Sequence, residues 1–146
     1  MKRRDALIGS ALLAGAASNT AFAADGKSLG DSIIPPAQEM GKEKHVPMIT
    51  APSSVKAKEP FMVTVEVGKT VPHPNTKDHH IKWIQLFAKY DDSRYVIELG
   101  TFNFGAGFAQ PKVTVPVMIE KSATIFALEH CNLHGVWENS VEVSVS

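Results

Sequence analysis

The chain has 146 residues, a length at which one compact domain with a single hydrophobic core is expected. Its 15 basic and 15 acidic residues give a formal net charge of zero, so there is no basic field to attract nucleic acid, and none is predicted as a partner. The only cysteine is Cys131, which excludes a disulfide within the chain.

The N-terminus has the features of an export signal. Residues 2–4 are basic, residues 6–17 are weakly apolar, and residues 21–23 form the cleavage-type triplet Ala-Phe-Ala. The apolar part is too short to span a bilayer, which argues against a membrane anchor and against stable membrane insertion. The paired arginines favour a twin-arginine signal over the general secretory route. We therefore predict a periplasmic protein whose signal peptide, residues 1–23, is cleaved near Ala23.

The remainder divides into a polar arm and a domain rich in β-strands. Residues 24–41 are polar and include a pair of prolines, which predicts an arm on the surface. Within the domain, residues 42–146, apolar residues alternate along 61–67, 113–119 and 141–145. Runs rich in β-branched or aromatic residues add 81–90, 95–99 and 124–128, whereas no pattern resolves residues 100–110. These runs predict an all-β fold, an immunoglobulin-like β-sandwich of about seven strands.

Cys131 and His134 lie in the predicted turn between the last two strands. A thiolate and an imidazole three positions apart can face one metal ion, and Gly135 allows the backbone to turn sharply behind them. The alternative is a buried free cysteine beside a surface histidine, and this pair alone does not decide between the two. An unpaired cysteine in an exported protein is prone to oxidation, which favours a metal-bound one.

Two further segments offer imidazoles. His73 and His79 border a turn-forming segment between two predicted strands, so both can fold back toward one point. His45 follows Glu43 and Lys44 and lies just before an extended segment. Each segment alone is typical of a charged surface loop, but three turns of a sandwich can meet at one end.

Together these segments resemble superoxide reductases, in particular the iron-binding domain that neelaredoxins and desulfoferrodoxins share. The resemblance is carried by Glu43-Lys44-His45-Val46-Pro47, by His73-Pro74-Asn75 and His79-His80-Ile81 with Trp83, and by Cys131-Asn132-Leu133-His134-Gly135 with Trp137. It covers about residues 40–146, with the motifs in family order. The single cysteine cannot build the extra cysteine-rich iron domain of the larger members, so the chain resembles the single-iron type.

The resemblance implies one mononuclear iron, Fe²⁺ or Fe³⁺, per chain. Four equatorial imidazoles and one axial thiolate would bind it: His45, His73, His79, His134 and Cys131. It further implies that Glu43 is the sixth ligand in the resting ferric form, and we predict catalytic roles for Glu43 and Lys44. His80 and His130 are left out of the implied ligand set.

The implied activity is the one-electron reduction of superoxide, with uptake of two protons, to hydrogen peroxide. A thiolate raises the electron density on iron and favours electron transfer to a small ligand, and five donors leave one position open for it. Lys44 can attract the superoxide anion and organise a proton donor. The implied partners are a rubredoxin-like or other periplasmic electron donor and further copies of the chain, as a tetramer by family resemblance.

Two other functions remain open from the sequence. A blue-copper-like electron-transfer protein also places cysteine and histidine on one loop of a sandwich, but its weak axial methionine has no counterpart after Cys131. The nearest upstream candidate, Met118, lies on a predicted strand. An immunoglobulin-like binding or carrier module without catalysis would leave the spacing of five candidate ligands unexplained.

Overall fold

The computed structural model describes residues 29–35 and 43–146. The predicted signal peptide, residues 1–23, lies outside the described residues, and the predicted arm is described only over residues 29–35. A short 3-10 helix, Leu29–Ser32, begins the described chain. No helix in the described part is long and apolar enough to cross a membrane.

Eight strands form two sheets. In chain order they are β1 Pro47–Thr50, β2 Ser54–Val55, β3 Phe61–Val67, β4 Ile81–Tyr90, β5 Ile97–Asn103, β6 Lys112–Val117, β7 Ala123–Cys131 and β8 Gly135–Val145. The smaller sheet has the order β1-β3-β6 and the larger one the order β2-β8-β7-β4-β5. All pairs are antiparallel except β2 with β8. The predicted all-β sandwich is confirmed, with the two-residue β2 as an element the pattern did not predict.

Alternation along each strand builds the core between the sheets. In β3 the residues Phe61, Val63, Val65 and Val67 are buried, while the residues between them are exposed or half-buried. In β7 every second residue from Ala123 to Cys131 is buried. A fully buried valine, leucine or isoleucine stabilises the fold by about 1.5–3 kcal/mol, so this alternation fixes which face of each strand points inward.

A register shift in β4 lies where the strand leaves the loop that precedes it. Ile81 pairs with Cys131, but Trp83 pairs with His130, so Lys82 is an additional residue. Because of this additional residue, the buried positions of β4 change from odd to even residue numbers, and both Ile81 and Ile84 are buried. Bulges of this kind bend a strand and redirect its side chains, and this one lies directly after the loop formed by residues 68–80.

Three connecting segments meet at one end of the sandwich. The residues before β1 lie beside the end of β3 because Pro47 pairs with Val67. The end of β7 lies beside the start of β4, and the β7–β8 turn closes between Cys131 and Gly135. The arm also contacts this end, since the backbone of Ile34 exchanges two hydrogen bonds with residues 136 and 138 of β8, both 2.9 Å long. Segments far apart in sequence are thus brought together.

The segment that no sequence pattern resolved, residues 100–110, divides into strand and turn. Its first part continues β5 to Asn103, and its second part is a turn in which the amides of residues 108 and 109 both donate to the carbonyl of Gly105.

Candidate metal centre

Four imidazole rings surround one point at the end of the sandwich. Going around the ring, the centroid distances are 5.0 Å from His45 to His73, 4.7 Å from His73 to His79, 4.9 Å from His79 to His134 and 4.8 Å from His134 to His45. The distance across, from His45 to His79, is 6.4 Å. Four nearly equal sides and a longer diagonal describe an approximate square, and neighbouring rings meet edge to face.

The nitrogen and sulfur atoms of this cluster converge. Ligand atoms of His45, His79, Cys131 and His134 all lie within 4.8 Å of one another. His45 Nε2 is 3.1 Å from His134 Nδ1, and Cys131 Sγ is 3.5 Å from that same Nδ1. Two nitrogens that bind one ion at right angles, each about 2.1 Å from it, are about 3 Å apart. The spacing therefore fits a shared metal ion.

Two imidazole nitrogens of the four-ring cluster are buried without partners among the described residues. His73 Nε2 and His79 Nε2 are buried, and neither has a hydrogen-bond partner in the described part of the chain. The opposite nitrogen of His73 is committed, because its Nδ1 lies 2.6 Å from the carbonyl oxygen of Pro74. A buried polar atom without a partner destabilises a fold unless something binds it. A metal ion would satisfy both nitrogens.

His45 is oriented from two sides. Its Nδ1–H donates to the Glu43 carboxylate at 2.6 Å, and its backbone N–H donates to the same oxygen at 3.1 Å. Trp137 stacks on the His45 ring with centroids 4.8 Å apart and planes inclined by 13°, and its Nε1–H donates to the carbonyl of His134 at 3.2 Å. Carboxylates that hold the second nitrogen of a metal-binding histidine are a recurrent feature of metal centres.

Burial favours the neutral form of three of the four imidazoles. It lowers the pKa of His45, His73 and His79, and the pKa of His73 falls to about 4. Burial alone would raise the pKa of Glu43, but its hydrogen bonds with His45 outweigh this and lower the pKa. Neutral imidazoles have the lone pair that binds a metal, so the lowered pKa values of these three residues favour metal binding at neutral pH.

The thiol is the most deeply buried member of the cluster. Cys131 is the last residue of β7 and is fully buried, whereas His134, in the turn that follows, is exposed. The left-handed conformation of Gly135, with φ of 83°, closes this turn. The turn predicted between the last two strands is thus present, with the sulfur on the inner side and the imidazole on the solvent side.

Of the five predicted ligand residues, four bring their ligand atoms within 4.8 Å of one another, and His73 has its ring beside those of His45 and His79. Two other histidines lie outside this cluster. His130 is on the outer face of the larger sheet, where its ring lies 5.4 Å from that of Trp83. His80 holds a buried Nδ1 without a partner among the described residues, but its ring is not among the four around the cluster. Neither ring belongs to the cluster of four described above.

Lys44 lies near the cluster. Its side chain is half-buried, and its positive charge contributes to the lowered pKa of His45, His73 and His79. An ammonium group that acts on three of the four imidazoles also acts on an anion that approaches them.

Glu129 is a buried carboxyl that sequence reasoning missed. It is fully buried, and neither carboxyl oxygen has a hydrogen-bond partner among the described residues. Burial, with a smaller contribution from the Glu43 charge, raises the pKa of Glu129 to about 9, so the group is protonated at neutral pH. The alternation along β7 places residue 129 on the inner face, two positions before Cys131. This pattern alone would have predicted that Glu129 is buried.

A β-sandwich whose loops gather four imidazoles and one buried thiol defines a protein with a mononuclear metal centre of mixed nitrogen and sulfur ligation. A family model of desulfoferrodoxin matches residues 37–140. The chain belongs to the desulfoferrodoxin family.

Relatives of known name agree in sequence and in structure. A Thermotoga maritima protein is 43% identical over 120 residues, which cover 74% of this chain and 92% of that protein. Neelaredoxin of Megalodesulfovibrio gigas is 36% identical over 115 residues, 70% of this chain and 88% of that protein. The structure of an Ignicoccus hospitalis superoxide reductase (neelaredoxin) superposes with a TM-score of 0.74 at 38% identity and covers 82% of this chain and 100% of that one.

Proposed function

We propose that this chain is a superoxide reductase that converts superoxide to hydrogen peroxide by one-electron reduction. The observation that carries the proposal is the cluster of four imidazole rings with the buried Cys131 thiol beside it, in a chain that belongs to the desulfoferrodoxin family. Relatives along most of its length are named superoxide reductase or neelaredoxin.

The proposed cofactor is one iron per chain. The donors His45, His73, His79 and His134 would supply nitrogen, and Cys131 would supply sulfur. This set fits a redox-active ion because imidazole and thiolate both stabilise iron, and the thiolate tunes its potential. Iron held there would supply the electron for superoxide reduction.

Lys44 and Glu43 have different proposed roles. The Lys44 ammonium attracts the superoxide anion toward the site and organises the proton donor that the product requires. Glu43 holds His45 through Nδ1, which leaves Nε2 free for the metal. A role for Glu43 as the sixth ligand of the resting ferric form, as the resemblance implies, requires its carboxylate to leave His45.

A blue-copper-like alternative lacks support from the side chains near the cluster. Such sites use two imidazoles, one thiolate and a weak axial methionine, whereas four imidazoles gather here. Met118, the nearest methionine upstream of Cys131, is 59% exposed beyond the end of β6.

We also propose that the protein acts in the periplasm. The support is the basic and weakly apolar N-terminus with its paired arginines, which lies outside the described residues. A twin-arginine route exports folded proteins, so iron could be inserted before export, where less copper and zinc compete for the site. Replacing Arg3 and Arg4 with lysine is expected to abolish periplasmic accumulation, whereas undiminished accumulation would exclude that route.

The electron donor and the assembly are further proposals. A rubredoxin-like or other periplasmic redox protein would return the electron, and the chain would form a homotetramer. The support for both is family resemblance alone. Mixing reduced rubredoxin with the oxidised protein tests the first, and its molecular mass in solution tests the second.

Metal analysis and the product ratio test the activity. We expect about one iron per chain and, after rapid anaerobic mixing of the reduced protein, one hydrogen peroxide for each superoxide consumed. Dismutation would give one peroxide for two superoxides and would contradict the proposal, as would copper or the absence of metal. The variant C131S is the control and should lose both the thiolate-to-iron absorption and the activity.

A further inference from the structure

The loop that carries His73 and His79 is attached to the rest of the molecule by two asparagine side chains. Asn132 lies on one side of the loop and Asn75 is part of it. Each uses its amide oxygen as an acceptor and its amide nitrogen as a donor, and each bonds to backbone groups only. The two asparagines differ in what they attach the loop to.

Asn132 joins the loop to the turn that holds the thiol. Its Oδ1 accepts from the backbone N–H of His80 at 2.9 Å, and its Nδ2 donates to the carbonyl of Asp78 at 2.8 Å. Its own backbone N–H donates to the carbonyl of His80 at 3.1 Å. These three bonds hold the residues on either side of His79, and Asn132 directly follows Cys131.

The other restraint on the His79 backbone comes from within the loop. His79 N–H donates to Thr76 Oγ1 at 3.0 Å, and Thr76 N–H donates to the carbonyl of His79 at 2.9 Å. Thr76 therefore shapes the loop but does not fix its distance from Cys131. The bonds of Asn132 do, because they cross from one segment to the other.

We propose that Asn132 is a positioning residue that sets the place of His79 relative to Cys131, and with it the geometry at the metal. The inference rests on the proposed iron site and adds a role for a side chain that touches no metal ligand atom. Groups that orient ligands in this way typically change metal affinity or activity by about 10–100-fold when they are removed.

Asn75 provides a matched control. Its Nδ2 donates to the carbonyl of Ala109 at 3.0 Å, and its Oδ1 accepts from the N–H of Gly107 at 3.0 Å. It has the same chemistry and the same number of side-chain bonds as Asn132, but it joins the loop to residues 105–110, which contain none of the five proposed ligands. If the asparagines only attached the loop to the rest of the molecule, replacing either one should therefore have the same effect on the metal.

The test compares N132A and N75A in the full chain loaded with iron. We expect N132A to release iron to a chelator at least about tenfold faster than the unmodified protein and to shift the thiolate-to-iron absorption band. N132A and N75A should lower the melting temperature of the iron-free protein to a similar extent. In N75A, however, the thiolate-to-iron band should not shift, and the rate of iron release should stay within about twofold of that of the unmodified protein. If N132A fails to fold, N132D is measured instead and the same changes are expected. It keeps an acceptor for His80 N–H and replaces the donor to Asp78 with a carboxylate oxygen, and N75D, which adds the same charge, is its control.

Two results would overturn the proposal. Equal iron release from N132A and N75A would show that the asparagine acts only on loop stability, and an unshifted band in N132A would show that the metal geometry does not depend on it. Failure of the proposed function is distinguishable, because the unmodified protein would then hold no iron and show no thiolate-to-iron band.

Discussion

At the scale of single residues, the candidate site is shaped by what each imidazole does with its second nitrogen. His45 gives Nδ1 to Glu43 and His73 gives Nδ1 to a backbone carbonyl, so in each ring Nε2 is the atom left for a metal. His134 is different, since its Nδ1 is the atom near both Cys131 Sγ and His45 Nε2. The partners of His45 and His73 thus orient two of the four rings before any metal binds.

Lys44→Ala is expected to slow the reaction with superoxide on the order of tenfold and to weaken its dependence on ionic strength, because a positive charge near the site steers the anion. Iron should remain bound, since the ammonium is not a ligand. Stopped-flow rates at several salt concentrations measure both effects. Lys56→Ala removes the same charge beside β2, at the opposite end of β8, and should change neither. Unchanged rates in Lys44→Ala would remove the steering role.

Glu129→Gln is expected to change how stability depends on pH. The pKa of Glu129 is raised from 4.5 to about 9 in the folded state, mainly by burial, so the folded protein holds a proton that the unfolded chain releases. Stability is therefore full below pH 4.5 and falls as pH rises toward 9, by up to about 1.4 kcal/mol per pH unit. Glutamine does not ionise, so Glu129→Gln should not lose stability in this way as the pH rises.

Urea unfolding of the iron-free protein measures the effect of this substitution. The measurements run from about pH 5 to about pH 8, a range that lies between the pKa of the unfolded chain and that of the folded protein. The difference between Glu129→Gln and the unmodified protein should grow with pH. Glu142→Gln, which alters an exposed carboxyl on β8, is the control and should give a constant difference near zero. A pH-independent difference for Glu129→Gln would contradict a protonated buried carboxyl.

At the scale of elements, the β7–β8 turn depends on one glycine. Gly135 has φ of 83°, and a Cβ built there would meet no atom within 4 Å, so only the backbone conformation opposes a side chain. Gly135→Ala should therefore destabilise the fold by about 1–2 kcal/mol. Gly105→Ala is the matched control, because its Cβ also meets open space but its φ is not positive. Similar unfolding free energies for the two variants would exclude the conformational explanation.

Much of the fold follows from the sequence because alternation reports burial directly. The predicted run 61–67 coincides with β3, and 81–90 coincides with β4. The pattern could not reveal β2, whose two residues are strand only because they pair with the end of β8. It also could not reveal the bulge at Lys82, which depends on the partner strand and leaves the local composition unchanged.

The sequence grouped the candidate ligands, but it did not predict the contacts that hold them. It grouped His45, His73, His79, His134 and Cys131 through spacing and resemblance. In the folded chain the ligand atoms of four of them lie within 4.8 Å of one another, and the fifth, His73, has its ring beside those of His45 and His79. The sequence did not reveal the stacking of Trp137 on His45 or the bonds from Asn132, because such contacts join segments far apart in the chain. Side-chain partners across long separations are fixed by the tertiary fold, which a local pattern does not contain.

At the scale of the whole molecule, the candidate site bridges the two sheets. His45 precedes β1 of the smaller sheet, whereas Cys131 ends β7 and His134 precedes β8 of the larger one. The nitrogens and the sulfur therefore converge only after the sheets have packed on each other. A metal that binds all of them stabilises the folded state and not the unfolded chain, so its binding free energy adds to the stability of the sandwich.

Removal of iron is therefore expected to lower the melting temperature of the protein by about 10 °C, which corresponds to a few kcal/mol for a domain of this size. His79→Gln should lose most of this difference between the iron-loaded and iron-free forms, because the variant deletes a proposed ligand. His80→Gln changes the neighbouring residue by the same substitution and should keep it. Calorimetry of each variant with and without iron measures this difference in melting temperature. If both substitutions reduced it equally, the proposal that His79 is a ligand and His80 is not would be contradicted.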